Sequence, residues 1–134
     1  MLARREHTRR ELECKLAQLT GNPDEIPELL DDFERRGWLS ERRFVEQVVA
    51  SRRRRFGAQR IAHELRKKGV SGAAISATQQ QLQDSELDAA RAVWRKKFGV
   101  PPVSARDKAR QMRFLQGRGF SLDVIRRVLR DDDD

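Results

Sequence analysis

Apolar residues recur along this 134-residue chain at intervals of three and four, and each run ends in a polar or glycine-containing break. That spacing marks amphipathic helices rather than strands. Thr8-Arg9-Arg10-Glu11 forms a capping box ahead of Leu12, Leu16 and Leu19. Asn22 reads as an N-cap with Pro23 at the first helical position. Ile26, Leu30 and Phe33 form the stripe of that helix, and Gly37 stops it. Further on, an apolar residue before a cap faces one in the first helical turn. Leu39 pairs in this way with Phe44 across Ser40, Phe56 with Ile61 across Gly57, Val70 with Ile75 across Ser71, and Phe120 with Ile125 across Ser121. The pattern predicts helices near 8–19, 23–36, 40–55, 58–68, 71–83, 85–98, 104–117 and 121–130. Val100-Pro101-Pro102-Val103 is a linker, because neither proline continues a helix.

The elements repeat. Leu12, Leu16 and Ile26 map onto Ile61, Leu65 and Ile75 with an offset of 49. Leu65, Gly69, Ser71 and Ile75 map onto Leu115, Gly119, Ser121 and Ile125 with an offset of 50. Arg54-Arg55-Phe56-Gly57 matches Lys96-Lys97-Phe98-Gly99 at an offset of 42. The expected fold is all-α: three tandem three-helix repeats forming an elongated, curved rod. The units are 1–39 with a clipped first helix, 40–83, and 84–130, followed by an acidic tail at 131–134. Each unit has only a narrow apolar stripe, so neighbours are expected to cover one another. The second unit is the weakest, with Thr78 and Gln79 where the third has Val128 and Leu129.

Composition sharpens this picture. Hydrophobic residues make up 37% of the chain, below the 45–50% or so of an ordinary globule. Net charge is +8, unevenly spread. Residues 1–39 carry 7 basic and 9 acidic groups, 40–83 carry 10 and 3, and 84–134 carry 12 and 9. The positive field therefore lies in the middle and C-terminal units and points to acidic or polyanionic partners. At 100° per residue, Phe44, Val45, Val48 and Val49 define the inner side of one helix. Arg52 falls on that side with its head reaching out, and Arg54 points directly away. In the third unit Leu87, Ala90, Trp94 and Phe98 define the inner side, and Lys96 points away. Arg54 and Lys96 are equivalent in the repeat, and Arg66-Lys67-Lys68 adds to the same field.

Cations at a helix C-terminus complement the helix dipole without any partner, which accounts for Arg126, Arg127 and Arg130. The same account covers solvated helix ends at 52–55 and 66–68. Asp131 to Asp134 read either as a solvated stop or as a screen over the basic face.

Catalytic patterns are absent: no phosphate-binding glycine loop, no His-Glu-x-x-His and no nucleophile elbow. His7 and His63 lie in different units without a metal-ligand set, so no metal, cofactor or enzymatic activity is expected. One cysteine, Cys14, excludes an internal disulfide and suits a reducing cytoplasm. No apolar run is long enough for a membrane span, and no signal core is present. Trp38 and Trp94 are assigned to the core. Aromatic residues are 6% of the chain with no surface series, which argues against base stacking along a single strand.

Gly37-Trp38-Leu39-Ser40-Glu41-Arg42-Arg43-Phe44-Val45 resembles the signature of the bacterial RecX regulators, with Ser40 in place of the first of two acidic residues. Phe56-Gly57-Ala58-Gln59-Arg60-Ile61, Glu64-Leu65 and Lys68-Gly69-Val70 are similar to that family's middle repeat. Arg113-Phe114-Leu115, Arg118-Gly119-Phe120-Ser121 and Val124-Ile125-Arg126 are similar to its third. Leu2 to Thr8 with Glu11-Leu12 resembles its first. The family's opening helix usually starts earlier, so a truncated or short member is expected. The resemblance implies three tandem three-helix repeats. It also implies a non-enzymatic regulator that lies in the groove of the RecA recombinase filament. There it restrains ATP hydrolysis, strand exchange and coprotease activity. The implied partners are the RecA filament and single- or double-stranded DNA, and a monomer is expected. Charge and helix phase, not the family motifs, select Arg53, Arg54, Arg66, Lys67, Lys68, Arg95, Lys96 and Lys97 as the filament- or DNA-binding face. Two alternatives stand beside this: a helical DNA-binding module acting independently of RecA, and a helical scaffold for some other acidic protein.

Overall fold

In the computed structural model, which describes residues 5–131, eight α-helices follow one another: α1 (Arg9–Leu19), α2 (Ile26–Arg35), α3 (Glu41–Arg52), α4 (Ala58–Lys67), α5 (Gly72–Gln83), α6 (Glu86–Lys97), α7 (Ala105–Gly117) and α8 (Leu122–Asp131). No strand occurs among the described residues. The fold is all-α, as the period of the apolar residues requires. Met1 to Arg4 and Asp132 to Asp134, and with them most of the acidic tail, lie outside the described residues.

The helix starts follow from their caps. The Thr8 hydroxyl accepts from the Glu11 amide at 3.1 Å, while the Glu11 carboxylate accepts from the Thr8 amide at 3.0 Å. Ser40, Ser71, Ser104 and Ser121 each accept from the amide three residues on. Asn22 caps a single 3-10 turn, Pro23–Glu25, before α2 begins. The α-helix therefore opens at Ile26, three residues later than the proline suggests. α3 ends at Arg52, so Arg53 to Arg55 form a turn rather than the last helical turn expected up to residue 55.

The apolar side chains gather into three separate clusters. Leu12, Ile26, Leu30 and Leu39 form the first, between α1 and α2. Phe44, Ile61, Leu65, Ile75 and Leu82 lie in the second, within α3–α5. Trp94, Leu115, Phe120, Ile125 and Val128 lie in the third, within α6–α8. Each group of helices thus has its own apolar cluster, and the groups also pack on one another, as where Gly57 meets Gly119 and Phe120. The groups are called here the first, second and third segments. Within the second, Thr78 is buried where Val128 stands in the third, and its hydroxyl donates to the Ala74 carbonyl at 2.8 Å. A buried hydroxyl satisfied in this way costs little.

The Phe56–Ile61, Val70–Ile75 and Phe120–Ile125 pairs each fall within one cluster. Leu39 instead joins the first cluster while Phe44 joins the second, so it ties down the exit of α2. Trp94 is buried at 4% exposure, but Trp38 is 48% exposed. Its position follows Gly37, whose φ of 75° turns the chain out of α2. The indole then lies over Phe33 and under the Arg36 guanidinium at the surface.

Polar contacts join the segments. Arg43 meets Glu6 at 2.7 Å, Lys68 meets Glu11 at 3.3 Å, and the Glu6 amide donates to Gln47 at 3.0 Å, linking the first segment to the second. The second meets the third through backbone. The Gly57 amide donates to the Arg118 carbonyl at 2.7 Å and the Gln59 amide to the Gly119 carbonyl at 3.2 Å. Gly119 has φ 93°, and a Cβ there would lie 2.6 Å from the Arg60 nitrogen. Only glycine allows both that backbone conformation and that approach.

Candidate basic interface

The ends of α3, α4, α6 and α7 bring cations from two segments onto one surface. Arg54, Arg66, Lys67, Arg95, Lys96 and Lys97 are exposed, and none forms an ion pair among the described residues. Arg54 and Lys96, matched by the repeat, line one groove of about 270 Å³ together with Arg55, Lys97, Phe114 and Arg118. Arg55 also borders a second cleft of about 610 Å³ on α4, which holds Arg60, His63, Lys67 and Lys68. The two hollows adjoin at Arg55, so Arg54, Lys67, Lys68, Lys96 and Lys97 lie along one track across the junction, whereas Arg66 and Arg95 line neither hollow.

Sequence reasoning missed the floor of this track. Phe56 carries the guanidinium of Arg60 at 4.6 Å from its ring centre and that of Arg118 at 5.2 Å. Arg118 also lies 5.1 Å from the Phe114 ring, which Lys97 approaches at 5.4 Å. Phe114 in turn meets Phe98 edge-on at 5.4 Å, and Arg110 lies over Phe98. These rings are half-buried against the two cores, and cations cover their outer faces. Ring quadrupoles hold these cations in place without neutralising them. The guanidinium edges remain available for phosphate or carboxylate oxygens. The available signal was the repeat itself, since Phe56 and Phe98 occupy matched places in it.

Two of the sequence-selected side chains, Lys68 and Arg53, are engaged within the protein, as is the neighbouring Arg52. Lys68 holds Glu11. Arg52, on the inner side by phase, grips the Glu64 carboxylate with two bonds, at 3.1 and 3.2 Å. Arg53 turns inward, with 17% of its side chain exposed, and pairs with Glu86 at 2.8 Å. Arg53 is the C-cap of α3 and keeps helical backbone, so its phase places it on the flank of the helix, where Glu86 of the third segment covers it.

The N-terminal edge of the track carries two perturbed groups. His7 is 3% exposed. Burial, with Arg5 and Lys15 nearby, holds its pKa below the usual value. Burial pushes the Glu11 carboxyl up, but bonds from the Thr8 amide, Arg5 and Lys68 outweigh it and bring the pKa down to about 2. Cys14 is exposed. Among the described residues no group of three or more His, Cys, Asp or Glu could hold a metal ion, and no helix is long and apolar enough to cross a membrane.

Comparison with known proteins places this arrangement. Residues 40–78 match the second three-helix domain of RecX, and residues 84–129 match the third. The regulatory protein RecX of Leptothrix cholodnii is 51% identical over 96% of this chain and 82% of its own length. The chain belongs to the RecX family. The regulatory protein RecX of Ralstonia nicotianae is 42% identical over 98% of this chain and 83% of that protein. A crystal structure of RecX from Lactobacillus salivarius superposes with a TM-score of 0.83, covering 98% of this chain and 89% of that one at 21% identity, which shows the shared fold. The chain is accordingly a RecX-type regulatory protein built of three-helix domains. The basic track spans the two segments that match the RecX domains.

Proposed function

We propose that the protein is a non-enzymatic negative modulator of the RecA recombinase that binds the groove of the RecA–DNA filament through the basic track. The units at 1–39, 40–83 and 84–130 would each present one stretch of surface to it. The observation that carries the reading is the unpaired row Arg54, Lys67, Lys96 and Lys97, continued by the ring-mounted Arg60 and Arg118 across two segments. A regularly spaced polyanion is the partner such a row fits. Because cations already lie over the rings, the track favours phosphate and carboxylate oxygens over stacked bases.

The test is DNA-dependent ATP hydrolysis by RecA on single-stranded DNA, titrated with wild type and with the double reversal Arg54→Glu, Lys96→Glu. Wild type is expected to inhibit, and the folded double variant to lose at least tenfold in apparent affinity. Equal inhibition by both sinks the assignment of this face. No inhibition by wild type, with tight binding to naked DNA retained, moves the protein to an independent helical DNA-binding module. In that case the logarithm of affinity falls with the logarithm of salt at a slope of about 0.9 per phosphate neutralised.

A further inference from the structure

We infer that Arg53 and Glu86 are positioning residues that lock the second and third segments at one angle and so join two half-tracks into a single polyanion site. The inference rests on the reading that the track takes a polyanion.

Four helix ends meet at this pair. Arg53 follows the last residue of α3, and its guanidinium donates to the Leu82 carbonyl at the end of α5 at 2.7 Å and to Ser85 Oγ at 2.9 Å. Glu86 opens α6, and its carboxylate accepts from Arg53 at 2.8 Å. Both its oxygens also face the Ala58 amide, at 3.2 and 3.3 Å. Ala58 opens α4, so its amide has no acceptor within the helix. The third segment therefore supplies the acceptor for that first amide. The cation lies at the carbonyl ends of α3 and α5 and the anion at the amide ends of α4 and α6, which is the favourable placement for each dipole.

The two apolar clusters remain separate here, so the angle between the segments rests on polar contacts together with the close approach of Gly57 to Gly119 and Phe120. The clasp fixes one side of the junction. The Gly57 and Gln59 amide bonds to the turn at 118–119 fix another, with Arg60 donating to the Gly117 carbonyl at 2.9 Å. Glu86 keeps only 9% of its side chain exposed, whereas the Arg43–Glu6 pair at the first junction keeps 44% and 24%. Arg54 and Arg55 follow Arg53 directly in the chain, and Arg118 rests on Phe56 of one segment and Phe114 of the other. A change of angle would pull these halves out of register. Two linked binding patches gain affinity for a long ligand only while their geometry allows both to engage.

The test uses the full chain with Glu86→Gln, which keeps the size and an acceptor for the Ala58 amide, and with Arg53→Met. Spin labels at Ala77→Cys and Gln116→Cys, in a Cys14→Ser background, report the distance between segments. Deoxythymidine strands of about 5 and about 25 nucleotides report binding to one segment and to both. The expected result is a broadened label distance and roughly tenfold weaker binding of the long strand, with binding of the short strand unchanged. A label distance like that of wild type in folded Glu86→Gln overturns the inference, even if Arg53→Met fails to fold. Equal losses for short and long strands also overturn it, since they would make the pair direct contacts. If wild type binds neither strand, the polyanion reading itself fails, while the label distances still decide the clasp.

Discussion

Replacing Gly57 by alanine isolates the packing of one segment against the next. Gly57 has φ −83° and ψ 173°, which alanine adopts freely, so the substitution strains no dihedral. The added methyl would lie 2.5 Å from the Gly119 carbonyl oxygen and 2.7 Å from Phe120 Cδ1. Backbone cannot yield there as a flexible side chain would, so the segments must separate. That separation removes the Gly57–Arg118 and Gln59–Gly119 bonds, worth about 1 kcal/mol each. Alanine is also the poorer N-cap, by about 0.5–1 kcal/mol. The sum is about 3 kcal/mol. For a domain of this length, each kcal/mol lowers Tm by roughly 3–5 °C, giving a fall of about 10–15 °C.

The assay is thermal unfolding followed by circular dichroism, with Gly72→Ala as control. A Cβ at Gly72 meets nothing within 4 Å, and alanine within a helix gains up to about 1 kcal/mol over glycine. The control should therefore melt at or above wild type. A Gly57→Ala protein melting within about 2 °C of wild type would refute the view that this backbone contact holds the segments together.

Three further outcomes follow from polar groups held within the fold. Glu11, with its carboxyl near pKa 2 against 4.5 unfolded, stabilises the fold above pH 4.5 and loses that contribution as pH falls towards 2. Glu11→Gln should lower the urea midpoint at pH 7 and flatten that acid limb. His7 acts with the same sign from another cause: its folded pKa is below 6.5, so the unfolded chain takes the proton first and stability declines below pH 6.5. Its imidazole resonances, followed by NMR, should titrate below 6.5. Gln111, 2% exposed, accepts from Trp94 Nε1 at 2.8 Å and donates to the Val100 carbonyl at 3.2 Å. Gln111→Leu leaves both groups unpaired and should cost about 1–3 kcal/mol in urea unfolding.

Local patterns were legible wherever a local rule governs. The Thr8 box, the serine caps and the three-and-four spacing each act within one helix, and each predicted element is present. Lys96 lies inside α6, so its outward phase holds. Arg53 keeps helical backbone at the C-cap of α3, but its phase falls on the flank between Arg52 and Arg54, and the contact with Glu86 of the next segment that covers it is not encoded in any local pattern. The Phe56–Arg118 and Gln59–Gly119 contacts join residues about 60 positions apart, and no hydrophobic period encodes them. Gly69 and Gly119 were nonetheless visible as matched positions. Both have positive φ, and both lie against the first turn of a preceding helix, at Arg10 and Arg60 respectively. The repeat offset was thus the one sequence signal that reached the junctions. It was read for the helices it relates rather than for the turns between them.

The separation of the cores explains why charge, unusually, governs the candidate interface twice. A continuous apolar core would fix the angle between segments by packing, leaving surface cations free to serve a partner alone. Here the second and third clusters stay apart, and the arginine run at the end of α3 divides its labour. Arg52 secures α4 through Glu64, Arg53 secures the third segment through Glu86, and Arg54 and Arg55 face the track. Four consecutive arginines, of which helix phase separated only Arg52 from Arg54, therefore carry three distinct tasks. A substitution in this run acts on fold, on junction angle or on partner contact according to its position, so uniform neutralisation of the run would confound all three.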